Sequence, residues 1–333
     1  MTVAEINNNT EPRIDNPANY LMFNRTEITT PGVFEFMINP WREAGGGSLR
    51  VVFETADEQP LRRVFGTVSY GSQITPDPVI KSVVNTFSQQ QAISPGSLVT
   101  IYSPYLSLAT LTGECDLLSR LPTDMRQYAV RFNGIAAPLL EVTHDRIKAI
   151  VPYEIAGSTE AEVILWVPQN RPFVAGGHRS PAVMVPVQET APAIRTIDHS
   201  GRGLVDARQI ANEVWSQHGP ENPVPRGGAV ELFVTGAGLW ATQLRGDIAF
   251  GDARPQPINP FADFLAFTGQ PLSVTIGGVP AKVLYAGATF LRPWALLQVN
   301  VVVPDGAPSG QQPVILKIGN NDNAAQRATL LIQ

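Results

Sequence analysis

The sequence predicts an all-β chain built around a duplicated β-sandwich, and three observations carry that reading. Charged residues are only 16% of the chain while Gly (28) and Pro (29) are plentiful, a composition suited to short strands joined by many turns. Between residues 271 and 304, three apolar runs (272–276, 281–285 and 296–303) are separated by turn chemistry. Ser273, Thr275 and Lys282 alternate with Val274, Ile276 and Val283, the period-2 pattern of half-buried strands, and Gly277-Gly278 supplies a tight hairpin turn. The third observation is that an earlier stretch repeats this pattern.

Pro95-Gly96-Ser97-Leu98-Val99 lines up with Arg226-Gly227-Gly228-Ala229-Val230, and Phe132-Asn133-Gly134-Ile135 with Ile276-Gly277-Gly278-Val279. Residues 147–152 match 299–304, and residues 162–166 match 313–317. The offsets of roughly 130 to 152 positions are too long for a solenoid and suit a duplicated sandwich whose loops absorb insertions.

In chain order, residues 1–16 are polar, with three consecutive Asn, and read as a flexible or extended arm. Residues 17–75 hold four strand signals, at 20–23, 33–38, 48–54 and 63–70, and form a small β domain or a strand extension. Residues 76–190 are expected to form the first sandwich. Residues 191–333 form the second, with a long insert at 240–270 and a closing strand at 328–332. One short helix is expected at 205–215, where Val205, Ile210, Val214 and Trp215 can share a helical face.

The chain resembles the Solibacter C-terminal repeat domains of predicted exported acidobacterial proteins. The matching motifs are Ser94-Pro95-Gly96-Ser97-Leu98-Val99, Val151-Pro152-Tyr153-Glu154, Ala191-Pro192-Ala193-Ile194, Val274-Thr275-Ile276-Gly277-Gly278-Val279-Pro280-Ala281, and Leu297-Gln298-Val299-Asn300-Val301-Val302-Val303-Pro304. The likeness covers residues 78–333. It implies tandem immunoglobulin-like sandwiches of the IPT/TIG class, an extracellular setting, and no catalytic motif.

The net charge of −5 gives no electrostatic reason to expect nucleic acid or anionic membrane as a partner. Cys115 is the only cysteine, so an intrachain disulfide and a cysteine-based zinc site are excluded. No apolar run reaches membrane-spanning length, and the first residues lack the basic and apolar regions of a signal peptide. The four histidines, His144, His178, His199 and His218, are scattered and read as solvated loop residues. Asp198-His199-Ser200 are consecutive, and a relay needs convergence from separate segments. Arg245-Gly246-Asp247 and Asn320-Asn321-Asp322-Asn323 read as turns, the latter lacking the spacing and closing Glu of a calcium loop. The 240–270 insert is the most suggestive loop. Its Trp240, Phe261, Phe264 and Phe267 either fold back over an open end of the sandwich or form a ligand-binding platform.

The function expected from these features is non-enzymatic: an extracellular or cell-surface binding module with no catalytic residues, metal or cofactor. Its partner is a protein or a glycan, with homo-oligomerisation through edge strands or the N-terminal arm. Two alternatives stand beside it. One is a self-assembling filament, coat or virion subunit using strand exchange; the other is a carbohydrate-binding accessory part of a secreted enzyme. A cytoplasmic location is the alternative compartment.

Overall fold

The computed structural model describes residues 2–5, 21–23, 36–38, 47–54, 63–70, 78–104, 106–107, 110–114, 121–167, 178–211, 214–239, 270–288 and 296–333. Among them there is no α-helix, and the chain is all-β, as the composition predicts. The N-terminal region contributes β1 (Thr2–Glu5), β2 (Leu21–Phe23), β3 (Phe36–Ile38), β4 (Gly47–Glu54) and β5 (Arg63–Tyr70). They pair as a three-stranded sheet, β1-β4-β5, and a β2-β3 ribbon. Residues 2–5 of the arm are thus extended and antiparallel to β4 of the same chain, in the register Thr2↔Val52 to Glu5↔Leu49.

The first unit begins with β6 (Ser82–Asn85), β7 (Leu98–Tyr102), β8 (Leu111–Thr112), β9 (Ala129–Phe132) and β10 (Ile135–Ala136). It continues with β11 (Leu139–Val142), β12 (Arg146–Ile150), β13 (Glu160–Val167), β14 (His178–Arg179) and β15 (Val183–Pro186). One sheet runs β6-β7-β12-β11-β8; the other runs β10-β9-β13-β14, with β15 also on β13. Val83, Val99, Ile101, Ile147 and Ala149 of the first sheet meet Val130, Phe132, Val163 and Leu165 of the second in one core. Removing these apolar side chains from water drives the two sheets together.

The second unit comprises β16 (Ala193–Ile194), β17 (Gly203–Leu204), β18 (Ala207–Ala211), β19 (Val214–Gln217), β20 (Ala229–Thr235) and β21 (Leu272–Ile276). After these come β22 (Val279–Ala288), β23 (Leu297–Val302), β24 (Gly310–Ile318), β25 (Asn321–Asp322) and β26 (Ala328–Ile332). Its main path is β17-β26-β24-β21-β22-β23-β20-β18-β19, around a core that includes Val230, Leu232, Val299, Val301, Val314 and Leu316. The helix expected at 205–215 is absent. Ala207–Ala211 and Val214–Gln217 pair antiparallel as a hairpin, Ile210 facing Trp215 across the ladder. Four apolar positions at that spacing fit a hairpin as well as a helix, and β20 offers β18 a partner strand.

Stretches aligned with one another in the sequence make matching backbone pairings. Leu98 pairs with Ile150 in the first unit, and their counterparts Ala229 and Val302 pair in the second. Gly96 N–H donates to Val151 O and Val151 N–H to Ser97 O, both at 2.9 Å; Gly227 to Val303 and Val303 to Gly228 repeat both distances. Phe132 opposes Val163 as Ile276 opposes Val314. The hairpin turns also match, Asn133 and Gly134 at φ 50° and 81°, Gly277 and Gly278 at 60° and 80°. Two successive left-handed residues match the twist of the flanking strands, which explains Asn-Gly and Gly-Gly here.

One difference is instructive. In the second unit β22 is continuous, pairing first with β21 and then with β23. In the first unit the matching stretch is split into β10, on β9, and β11, on β12. Pro138 lies at the break, where it has no N–H to give a ladder.

Candidate functional site

The residues expected to form a loop platform, Trp240, Phe261, Phe264 and Phe267, lie outside the described residues, as do Cys115 and Arg245-Gly246-Asp247. Asp198-His199-Ser200 forms an exposed turn: Ser200 N–H donates to Asp198 Oδ1 at 3.0 Å, and His199 sits at φ 56°. The bonds from Ser200 hold the Asp198 carboxyl below its ordinary range. No nucleophile–base geometry arises there. Among the described residues no group of three or more His, Cys, Asp or Glu is placed to hold a metal. Asn323 in the polar turn is structural: buried, it accepts from Leu316 N–H at 2.7 Å and donates to Val314 O.

His218 corrects the expectation that the histidines are solvated. It is 1% exposed, follows β19, and packs beneath the last strand. Its Nε2 accepts from Leu331 N–H at 3.1 Å, which leaves Nδ1 as the protonated nitrogen, facing Val205 O at 3.4 Å. Burial holds its pKa below the ordinary value. This histidine belongs to the architecture.

Two outward sheet faces concentrate side chains able to recognise a ligand. On the second unit, Arg195 and Arg208 lie 4.4 and 5.5 Å from the centre of the Phe233 ring. Arg195 pairs with Asp206, and Arg208 reaches Glu231 at 4.0 Å. Phe233 is 1% exposed, so its ring is buried beneath the two guanidinium groups, each of which faces a carboxylate.

The first unit presents the open face. Along β13 the residues Ala161, Val163, Leu165 and Val167 enter the core, so Glu160, Glu162, Ile164 and Trp166 point away from it. Trp166 lies opposite Ala129 of β9 on one side and Arg179 of β14 on the other. Arg131 opposes Ile164, and Met184 opposes Glu162. The face therefore carries a half-buried indole and an exposed Met184, with exposed Arg131, Arg179 and Glu162 around them. Trp166 Nε1 is shielded and has no hydrogen-bond partner within the protein. A shielded donor left without a partner costs about 1–3 kcal/mol. The signal for this face was present in the sequence, as an aromatic on the polar side of an alternating strand.

The edge beside this face is blunted. On β15, Pro186 has no N–H to offer, and its carbonyl accepts from Ile93 N–H at 3.4 Å while Gln188 N–H donates to Ile93 O at 2.8 Å. These features discourage strand addition there.

No protein-family model matches the chain, and no curated protein does. Among solved structures, the full extracellular region of plexin A4 (domains 1 to 10) is 10% identical over 75% of this chain, with a TM-score of 0.27. A mixed-linkage glucan utilization locus protein of Bacteroides ovatus, SGBP-B, in complex with a mixed-linkage heptasaccharide, is 13% identical over 96% of this chain, with a TM-score of 0.31. The chain spans 15% of the length of the first and 61% of the second. Scores of this size do not establish a shared topology.

Proposed function

We propose that this protein is a non-enzymatic recognition module of a cell surface or extracellular setting, built from two tandem immunoglobulin-like sandwiches at residues 76–190 and 191–333. The outward face of β13 and its neighbours is the recognition surface. The observation that carries this reading is Trp166: an indole on the outward side of a core-building strand, its Nε1 without a protein partner, set among exposed polar side chains. Aromatic rings with a polar handle give large contact area at small entropic cost, so they suit binding surfaces. A binding role also fits the histidine chemistry, since His218 is committed to backbone groups and Asp198-His199-Ser200 to a turn.

The test is an array of glycans and extracellular protein domains probed with the wild type and with Trp166→Ala. The reading expects at least one ligand whose binding disappears in the variant while the thermal midpoint is kept. Binding that survives in Trp166→Ala would place recognition elsewhere on the molecule.

A further inference from the structure

Resting on that reading, the geometry points to a ligand class: we infer that the Trp166 face takes a glycan bearing a carboxylated pyranose. Arg179 is directly across the ladder from Trp166, and directly opposed strand residues hold their Cβ atoms about 5 Å apart. Arg131 sits two positions further along, opposite Ile164, on the same outward side. On the β9 side the residue opposing Trp166 is Ala129, a small side chain. The arrangement is an aromatic surface with a guanidinium on each of the two neighbouring strands.

The charges on this face differ from those of Arg146, Arg195 and Arg208. Arg146 lies 3.9 Å from Glu141, Arg195 pairs with Asp206, and Arg208 with Glu231. Among the described residues, no carboxylate is within ion-pair range of Arg131 or Arg179. Arg131 uses one Nη1–H on Gly134 O at 3.0 Å, which fixes the side chain and leaves its other donors free. A guanidinium's planar donors match a carboxylate with two parallel hydrogen bonds. A pyranose supplies the other requirement, a face of C–H groups to lie on the half-buried indole. Glu162 lies four residues before Trp166 on the same face, so the positive character is confined to the Trp166 end. The acidic sugar therefore sits at that end.

The experiment is titration calorimetry of the whole chain with trigalacturonate and with its fully methyl-esterified form, which has the same rings without the charge. The wild type is expected to bind the acid at least ten-fold more tightly than the ester. Arg179→Gln and Arg131→Gln should each shrink that preference several-fold, and Trp166→Ala should remove binding of both. Both arginines are exposed, so their variants are expected to keep the wild-type thermal midpoint. Equal affinity for acid and ester, or a preference unchanged in both arginine variants, overturns the carboxylate inference while the Trp166 face stands. Absence of binding to either form overturns the inference as well, and the array result then decides separately whether Trp166 recognises something else.

Discussion

The backbone N–H of Leu98, the first residue of β7, donates to Thr235 Oγ1, at the end of β20, at 2.8 Å. This bond crosses between the units 137 positions apart, and Thr235 is wholly buried. Phe87, Leu98, Ile150, Ala193 and Leu296 pack around the same junction. Gln326 ties it further, donating to Phe87 O at 3.0 Å and accepting from Ile194 N–H at 2.9 Å. Thr235→Val keeps the shape and removes the acceptor, stranding a buried N–H. The expected cost is about 1–3 kcal/mol, read as a lower urea midpoint at unchanged slope.

Gly236, beside that contact, sits at φ +84°, and a Cβ there would lie 1.9 Å from Ala191 O. The close approach lets Ala191 N–H donate to Gly236 O at 2.8 Å. Gly236→Ala therefore combines a left-handed backbone with a clash against backbone that has nowhere to go. A loss of about 3 kcal/mol or more is expected in equilibrium unfolding.

His218 predicts a pH dependence. Burial lowers its pKa in the folded state, so the unfolded chain takes up the proton first as pH falls. Its stabilising contribution is full above the ordinary histidine value of about 6.5 and shrinks as pH drops from there toward the lowered folded value. Protonated Nε2 would no longer accept from Leu331 N–H. Thermal midpoints of the wild type and His218→Ala, compared at pH 7.5 and pH 5, should differ most at the higher pH.

Hairpins and strand faces were legible because their signals are local. Asn133-Gly134 and Gly277-Gly278 announce hairpins, and alternation in 272–276 and 328–332 states which side faces the core. The β18–β19 hairpin was not legible, because Val205, Ile210, Val214 and Trp215 satisfy two periods and the choice rests on pairing with β20. His218 was missed for the same reason: its burial depends on Leu331, 113 positions away. Trp166 was visible within an alternating strand. Which strands flank it emerges only from the register with Ala129 and Arg179.

The most direct test of the Trp166 face uses the indole N–H itself. The chain has five tryptophans, so protein labelled with 15N at tryptophan gives a spectrum with few indole signals to resolve. The one lost in Trp166→Phe identifies Trp166 Nε1. On adding trigalacturonate, that signal is expected to move furthest, as the sugar covers the ring that carries it. A ligand that binds while the Trp166 signal stays in place and another indole shifts would contradict the account.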